Sequence, residues 1–140
     1  MINLSKPDFE RIMIIDDNQI DLYIISKLIS KNNFCENILE YNSAQKALNY
    51  IVENQENSSL MPQIIFLDIY MPVMDGFEFL KKYKKLFKNA NQKCKIVMVS
   101  SSIDHNDISR AKSDKNVVLF ATKPINKKLF DDVVALENRH

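Results

Sequence analysis

Ile64-Ile65-Phe66-Leu67-Asp68 sets four unbroken apolar residues against a single carboxylate. An apolar run without alternation is the pattern of a strand covered on both faces, as in a parallel sheet flanked by helices. Two other runs end in the same way. Ile12-Met13-Ile14-Ile15 is followed by Asp16-Asp17, and Val117-Val118-Leu119-Phe120 leads into Lys123-Pro124. Ligands of open parallel sheets bind outside the carboxyl ends of the strands. The three clusters therefore predict carboxylates and one ammonium gathered along one edge of a sheet.

Such a gathering needs a cation. Three carboxylates roughly 5 Å apart repel one another by about 3 kcal/mol per pair at an effective dielectric near 20. An all-oxygen donor set favours a hard ion such as Mg²⁺, which keeps several waters and leaves room for a phosphate oxygen. Lys123 adds a point charge for the same group. An Asp in this setting can also act as a nucleophile and form an aspartyl phosphate. The pattern predicts a divalent-metal and phosphoryl site.

The rest of the chain alternates between strand and helix patterns. Strands are expected near 11–15, 37–41, 63–67, 95–99 and 117–121. The first helix is expected to bury Ile20, Ile24 and Leu28. The second is capped by Ser43 and carries Ala44, Ala47, Leu48 and Ile51, and the third places Leu80, Tyr83 and Phe87 on one face. A short helix over 104–112 and a last one with Leu129, Phe130, Val133 and Leu136 complete an α/β, doubly wound, five-stranded parallel sheet with five helices. Residues 54–61 form a polar loop. Lys81, Lys82, Lys84, Lys85 and Lys88 read as the solvated face of the third helix, and His105 as a surface residue.

Composition narrows the function. The 140 residues suit one domain, 1–140, with a core over about 9–137. With 19 basic and 18 acidic side chains the net charge is +1, which gives no sign of a nucleic-acid or membrane-surface protein. Neither a signal-peptide core nor a run of about 20 apolar residues occurs, so a cytoplasmic protein is expected. Cys35 and Cys94 match no metal or redox spacing and read as reduced structural thiols.

Taken together, Asp16-Asp17, the stretch Asp68-Ile69-Tyr70-Met71-Pro72-Val73-Met74-Asp75-Gly76, Ser100 after Ile96-Val97-Met98-Val99, and Lys123-Pro124 resemble the receiver domain of bacterial two-component response regulators. The resemblance covers about residues 9–136 and implies a flavodoxin-like strand order 2-1-3-4-5. It implies that Asp68 accepts a phosphoryl group and that Mg²⁺ is held by Asp17 directly, by Asp16 mostly through water, by Asp68 and by the Tyr70 backbone carbonyl. Ser100 is implied as the phosphate-sensing hydroxyl, Lys123 as the charge clamp joined to Pro124 by a cis peptide, and Phe120 as a switch residue that works by packing. The implied partners are a sensor histidine kinase or histidine phosphotransfer protein and a downstream protein met by the face of the fourth helix, fifth strand and fifth helix. A stand-alone receiver that is not a turnover enzyme is expected.

Each cluster has a plainer reading. Asp16-Asp17-Asn18 can cap a helix, Asp68 can close a turn, Lys123-Pro124 can be a loop lysine before a helix-starting proline, and Ser101 or Ser102 can replace Ser100 as sensor. Ser113-Asp114-Lys115-Asn116 stands where the family often has a glycine turn, and left-handed Asn or Asp is the expected substitute. A haloacid-dehalogenase-type phosphatase also uses an Asp and Mg²⁺. It needs a second Asp two residues on, where this chain has Tyr70. A receiver-shaped module that works without phosphorylation would be expected to lose the acidic pair, the acceptor or the lysine, and all are present.

Overall fold

The unbroken run at 64–67 becomes the central strand of a five-stranded parallel sheet. The computed structural model describes residues 6–87, 94–102 and 104–137. Strands β1 (Phe9–Ile15), β2 (Cys35–Tyr41), β3 (Ile64–Asp68), β4 (Lys95–Ser100) and β5 (Val117–Thr122) lie in the order β2-β1-β3-β4-β5. Helices α1 (Gln19–Lys31), α2 (Ala44–Asn54), α3 (Gly76–Leu86), α4 (His105–Lys112) and α5 (Lys127–Glu137) connect or follow them.

Alternate residues of each strand feed opposite layers. Met13, Ile15, Ile65 and Leu67 pack with Leu48 and Ile51 of α2 and Phe79, Leu80 and Tyr83 of α3. Ile12, Ile14, Ile64 and Phe66 pack with Ile25 and Ile29 of α1 and Phe130 and Val133 of α5, the Phe66 and Phe130 rings lying 5.2 Å apart. This burial on both faces explains why β1 and β3 carry no polar alternation. Each such side chain contributes about 1.5–3 kcal/mol when fully buried. Parallel registry sets Ile15 beside Leu67, Asp68 beside Val99 and Ser100 beside Thr122, so the marked strand ends share one edge.

Helix α1 differs from expectation. Its buried residues are Leu22, Ile25 and Ile29, whereas Ile20 and Ile24 are exposed and Leu28 is only partly buried. The sequence offers two apolar rows of helical period, 20/24/28 and 22/25/29, and periodicity alone does not choose between them. The α2 residues are buried as expected, as are Leu80 and Tyr83.

The 113–116 turn is also built differently. Its residues have no positive φ; the Asp114 carboxylate instead accepts from the Asn116 amide at 2.9 Å and pairs with Lys84 at 3.2 Å. Lys84 is therefore not a free surface charge, and Lys88 lies outside the described residues. The polar loop after α2 contains a short 3-10 turn at Ser58–Leu60. Tyr50 donates to the Leu60 carbonyl at 2.6 Å and Arg11 to that of Ser59, which pins the loop at the end of the sheet away from the acidic edge.

Candidate metal and phosphoryl site

Asp16 follows the last residue of β1 and continues its ladder, its amide donating to the Tyr41 carbonyl at 3.1 Å. Asn18 caps α1 by accepting from the Ile20 and Asp21 amides at 2.9 and 3.2 Å. Capping thus falls to Asn18, and the two preceding carboxylates are free of that duty. Oxygens of Asp16, Asp17 and Asp68 lie within 4.8 Å of one another. Asp16 and Asp68 are 2% and 7% exposed, whereas Asp17 is exposed to solvent.

Burial, then the charges of Asp16 and Asp17, push the Asp68 carboxyl up to about 7, with Lys123 pulling the other way. A carboxylate so disfavoured as an anion marks a place short of positive charge. The three-carboxylate donor set and this excess of negative charge fit a hard divalent cation. Asp16 already uses both oxygens within the protein: Oδ1 accepts from the Asn18 amide at 2.9 Å and Oδ2 from Lys123 at 2.8 Å. That leaves Asp17 and Asp68 the better placed to meet a metal directly.

Lys123 arrives from the end of β5 through a cis peptide to Pro124. Its amide donates to the Ser100 carbonyl at 2.8 Å. Its Nζ lies 2.8 Å from Asp16, 2.8 Å from Asp21 and 3.6 Å from Asp68. Burial works to lower the Lys123 ammonium, but the bonds to Asp16 and Asp21 and the charges of Asp68 and Asp16 outweigh it and hold the group above the ordinary lysine range. Ser100 is fully buried, and its Oγ accepts from the Ser102 amide at 3.2 Å. Ser101 and Ser102 are exposed, so among the three hydroxyls Ser100 is the one set in the sheet edge. Phe120, partly buried, sits beside Met98 across the β4–β5 pair.

The loop from Asp68 into α3 is tightly built. Asp75 and Glu78 form a reciprocal capping box at the start of α3. Gly76 lies so close behind Asp68 that a Cβ there would come within 2.7 Å of the Asp68 carbonyl oxygen. Between them the Met74 amide donates to the Pro72 carbonyl at 2.7 Å, closing a three-residue turn around Val73, whose φ is 69°. Val73 is fully exposed in this left-handed conformation, which β-branched residues rarely adopt. The Tyr70 side chain, half-exposed, donates its hydroxyl to Asp107 in the first turn of α4. That bond to a carboxylate raises the phenol above its ordinary range.

The expected residues Asp16, Asp17, Asp68, Ser100 and Lys123 thus converge on one edge. Two participants were not foreseen. Asp21 shares Lys123, and its only sequence signal is a carboxylate one helical turn beyond Asp17. Asp107 holds Tyr70, and nothing short of the fold links two residues 37 positions apart.

A model of the response regulator receiver domain matches residues 12–135, and the chain belongs to this family. It is 28% identical to the two-component response regulator ARR5 of Arabidopsis thaliana, over 98% of this chain and 77% of that protein. The chain spans 77% of that regulator's length but only 7% of another curated relative, the hybrid signal transduction histidine kinase I of Dictyostelium discoideum. A two-component response regulator from Cytophaga hutchinsonii superposes with a TM-score of 0.77 at 26% identity, covering 94% of this chain and 99% of that one. The fold is also that of the Mg²⁺-complexed receiver domain of the Arabidopsis thaliana histidine kinase CKI1, with a TM-score of 0.75, 21% identity and 91% of each chain covered. No helix among the described residues is long and apolar enough to cross a membrane.

Proposed function

We propose that this chain is a signalling receiver that takes a phosphoryl group onto Asp68 and changes the surface it shows to a partner. The observation that carries this reading is the buried Asp68 carboxyl within 4.8 Å of two other carboxylates and beside the Lys123 ammonium. Asp16, Asp17, Asp68 and the Tyr70 carbonyl are the groups that would hold Mg²⁺, which would supply positive charge for the phosphoryl oxygens and for Asp68 as an anion.

The protein's own groups do the remainder. An Asp68 oxygen attacks phosphorus in line; the bond from phosphorus to the donor nitrogen of a phosphohistidine breaks, and that nitrogen keeps the electron pair. Lys123 is already charged and stabilises the transferring oxygens without moving a proton. Ser100, released from the Ser102 amide, can turn its hydroxyl to the new phosphate. Phe120 and the half-buried β5 then repack, altering the face of α4, β5 and α5 offered to a downstream protein. Ile20, Tyr23 and Ile24, exposed on α1, the helix that begins just after the acidic pair, offer apolar surface and support a protein donor such as a histidine kinase or phosphotransfer protein. The chain promotes its own phosphorylation and is not a turnover enzyme. A cytoplasmic setting suits these partners.

Mass spectrometry after treatment with acetyl phosphate and Mg²⁺ tests the assignment. One phosphoryl group should appear in wild type and be absent from Asp68→Asn and Asp17→Ala. Lys123→Ala should still bind Mg²⁺ but respond poorly to donors. Undiminished labelling of Asp17→Ala would remove that residue from the metal site. A protein that binds its partners equally well in the Asp68→Asn form would instead be a phosphorylation-independent module.

A further inference from the structure

An alkylammonium has three N–H bonds to place, and in Lys123 two are committed. Asp16 and Asp21 each accept at 2.8 Å, from the end of β1 and from the first turn of α1. The Asp68 oxygen stands at 3.6 Å, beyond hydrogen-bond length. Lysine has a flexible four-carbon stem and a head that behaves as a point charge. One acceptor would leave it free to swing about that contact. Two acceptors on different elements fix the head, and the third N–H is left for the side where Asp68 lies.

We infer that Asp21 is a positioning residue for phosphorylation: with Asp16 it holds the Lys123 ammonium so that its remaining N–H faces Asp68 and the phosphoryl oxygens arriving there. The inference rests on the phospho-acceptor reading of Asp68. Asp21 itself touches neither the acceptor nor the donor. The step it serves is attack of an Asp68 oxygen on phosphorus, with the donor's bond to phosphorus breaking and the leaving group keeping the electron pair. In acetyl phosphate that bond is P–O and acetate departs, with no proton required.

The test compares wild type, Asp21→Ala, Asp21→Asn and Asp68→Asn in the full chain, following phosphorylation by acetyl phosphate at saturating Mg²⁺ and measuring Mg²⁺ affinity by calorimetry. Asp21→Ala removes the acceptor and should slow phosphorylation about tenfold, the order expected when a positioned charge is let loose. Asp21→Asn keeps an oxygen at the same place and should recover most of the rate. Mg²⁺ affinity should stay within about twofold of wild type in both, because Asp21 is not among the groups that would hold the ion. A wild-type rate in Asp21→Ala would overturn the inference. So would a faster rate, which would mean that Asp21 draws Lys123 away from the acceptor. Equal slowing in both variants would assign the effect to charge instead of position, and a parallel loss of Mg²⁺ affinity would reduce Asp21 to a structural role. Absence of Asp68-dependent phosphate in wild type would overturn the underlying reading, an outcome distinct from all of these.

Discussion

Strands β3 and β5 end at the same site but are built to different standards. Every residue of β3 is buried, as are the last four of β1, whereas β5 is half-buried from Val117 to Ala121 and exposed at Thr122. The carboxylates stand on the first pair and Lys123 on the second. Mutually repelling anions keep their spacing only if the strands beneath them cannot part, and burial on both faces provides that resistance. Lys123, which on the proposed reading would respond to a change of charge, sits where less apolar area would be lost by moving. The floor of the site holds charge, and its β5 wall can yield.

The largest expected effect breaks the floor's conflict. In metal-free protein the native Asp68 keeps its proton up to about pH 7, while the unfolded chain has lost it near 3.8. Within that window the native state binds more protons, so stability falls as pH rises from about 4 to 7 and is flat above. Lys123, shifted upward, keeps its contribution throughout the window and loses it only at pH values above the ordinary lysine range. Asp68→Asn should therefore become more stable than wild type by an amount growing to at most about 4 kcal/mol at pH 8. Urea unfolding with chelator at pH 5 and pH 8 measures it, and a pH-independent difference would contradict the raised carboxyl.

The contrast between the strands sharpens with two truncations. Phe66→Ala, on the floor, should cost about 3–5 kcal/mol, and Phe120→Ala, on the half-buried wall, about 1–2 kcal/mol. Equal losses in denaturant unfolding would erase the distinction. Gly76→Ala forces a methyl toward the Asp68 carbonyl and should destabilise by about 1–3 kcal/mol while slowing phosphorylation.

On the yielding side, Tyr70→Phe removes the hydroxyl that ties the acceptor loop to α4 at Asp107. Amide exchange should speed up in α4 and stay unchanged in β3; equal protection in wild type and variant would show that the tie does not order the helix. The smallest effect is a gain. Val73→Asn relieves a β-branched residue at φ 69° and should add about 1 kcal/mol without altering phosphorylation, because the Val73 side chain is fully exposed. A loss of stability on thermal melting would show that Val73 is not strained.

The strands and the acidic edge were legible because burial on both faces writes itself into composition: four apolar residues, then a carboxylate, leaves few alternatives. The inward face of α1 was not, since Ile20, Leu22, Ile24, Ile25, Leu28 and Ile29 supply two competing rows. Asp21 was hidden for another reason. Its partner lies 102 residues away, and no local pattern marks a first-turn helical carboxylate as a tether. The turn at 113–116 satisfies its backbone through an Asp114 side-chain bond where a left-handed residue was expected, and either solution suits the same letters. Val73 runs against the propensity of its residue type, so its conformation could come only from the fold.

Gly76 gives the molecule a direction. Its backbone lies against the Asp68 carbonyl, and its amide donates to the Ile69 carbonyl at 2.7 Å, so Asp68 and the start of α3 are packed as one part. On the proposed reading, phosphorylation of Asp68 would bring almost two negative charges and added bulk onto that part. With no slack behind Asp68, recoil toward α3 would be closed off, and displacement would run forward toward the β4–α4 loop and β5. Gly76 is thus a fixed backstop: on the proposed reading a protein bound at the start of α3 would register the phosphoryl group less than one bound to α4 or β5.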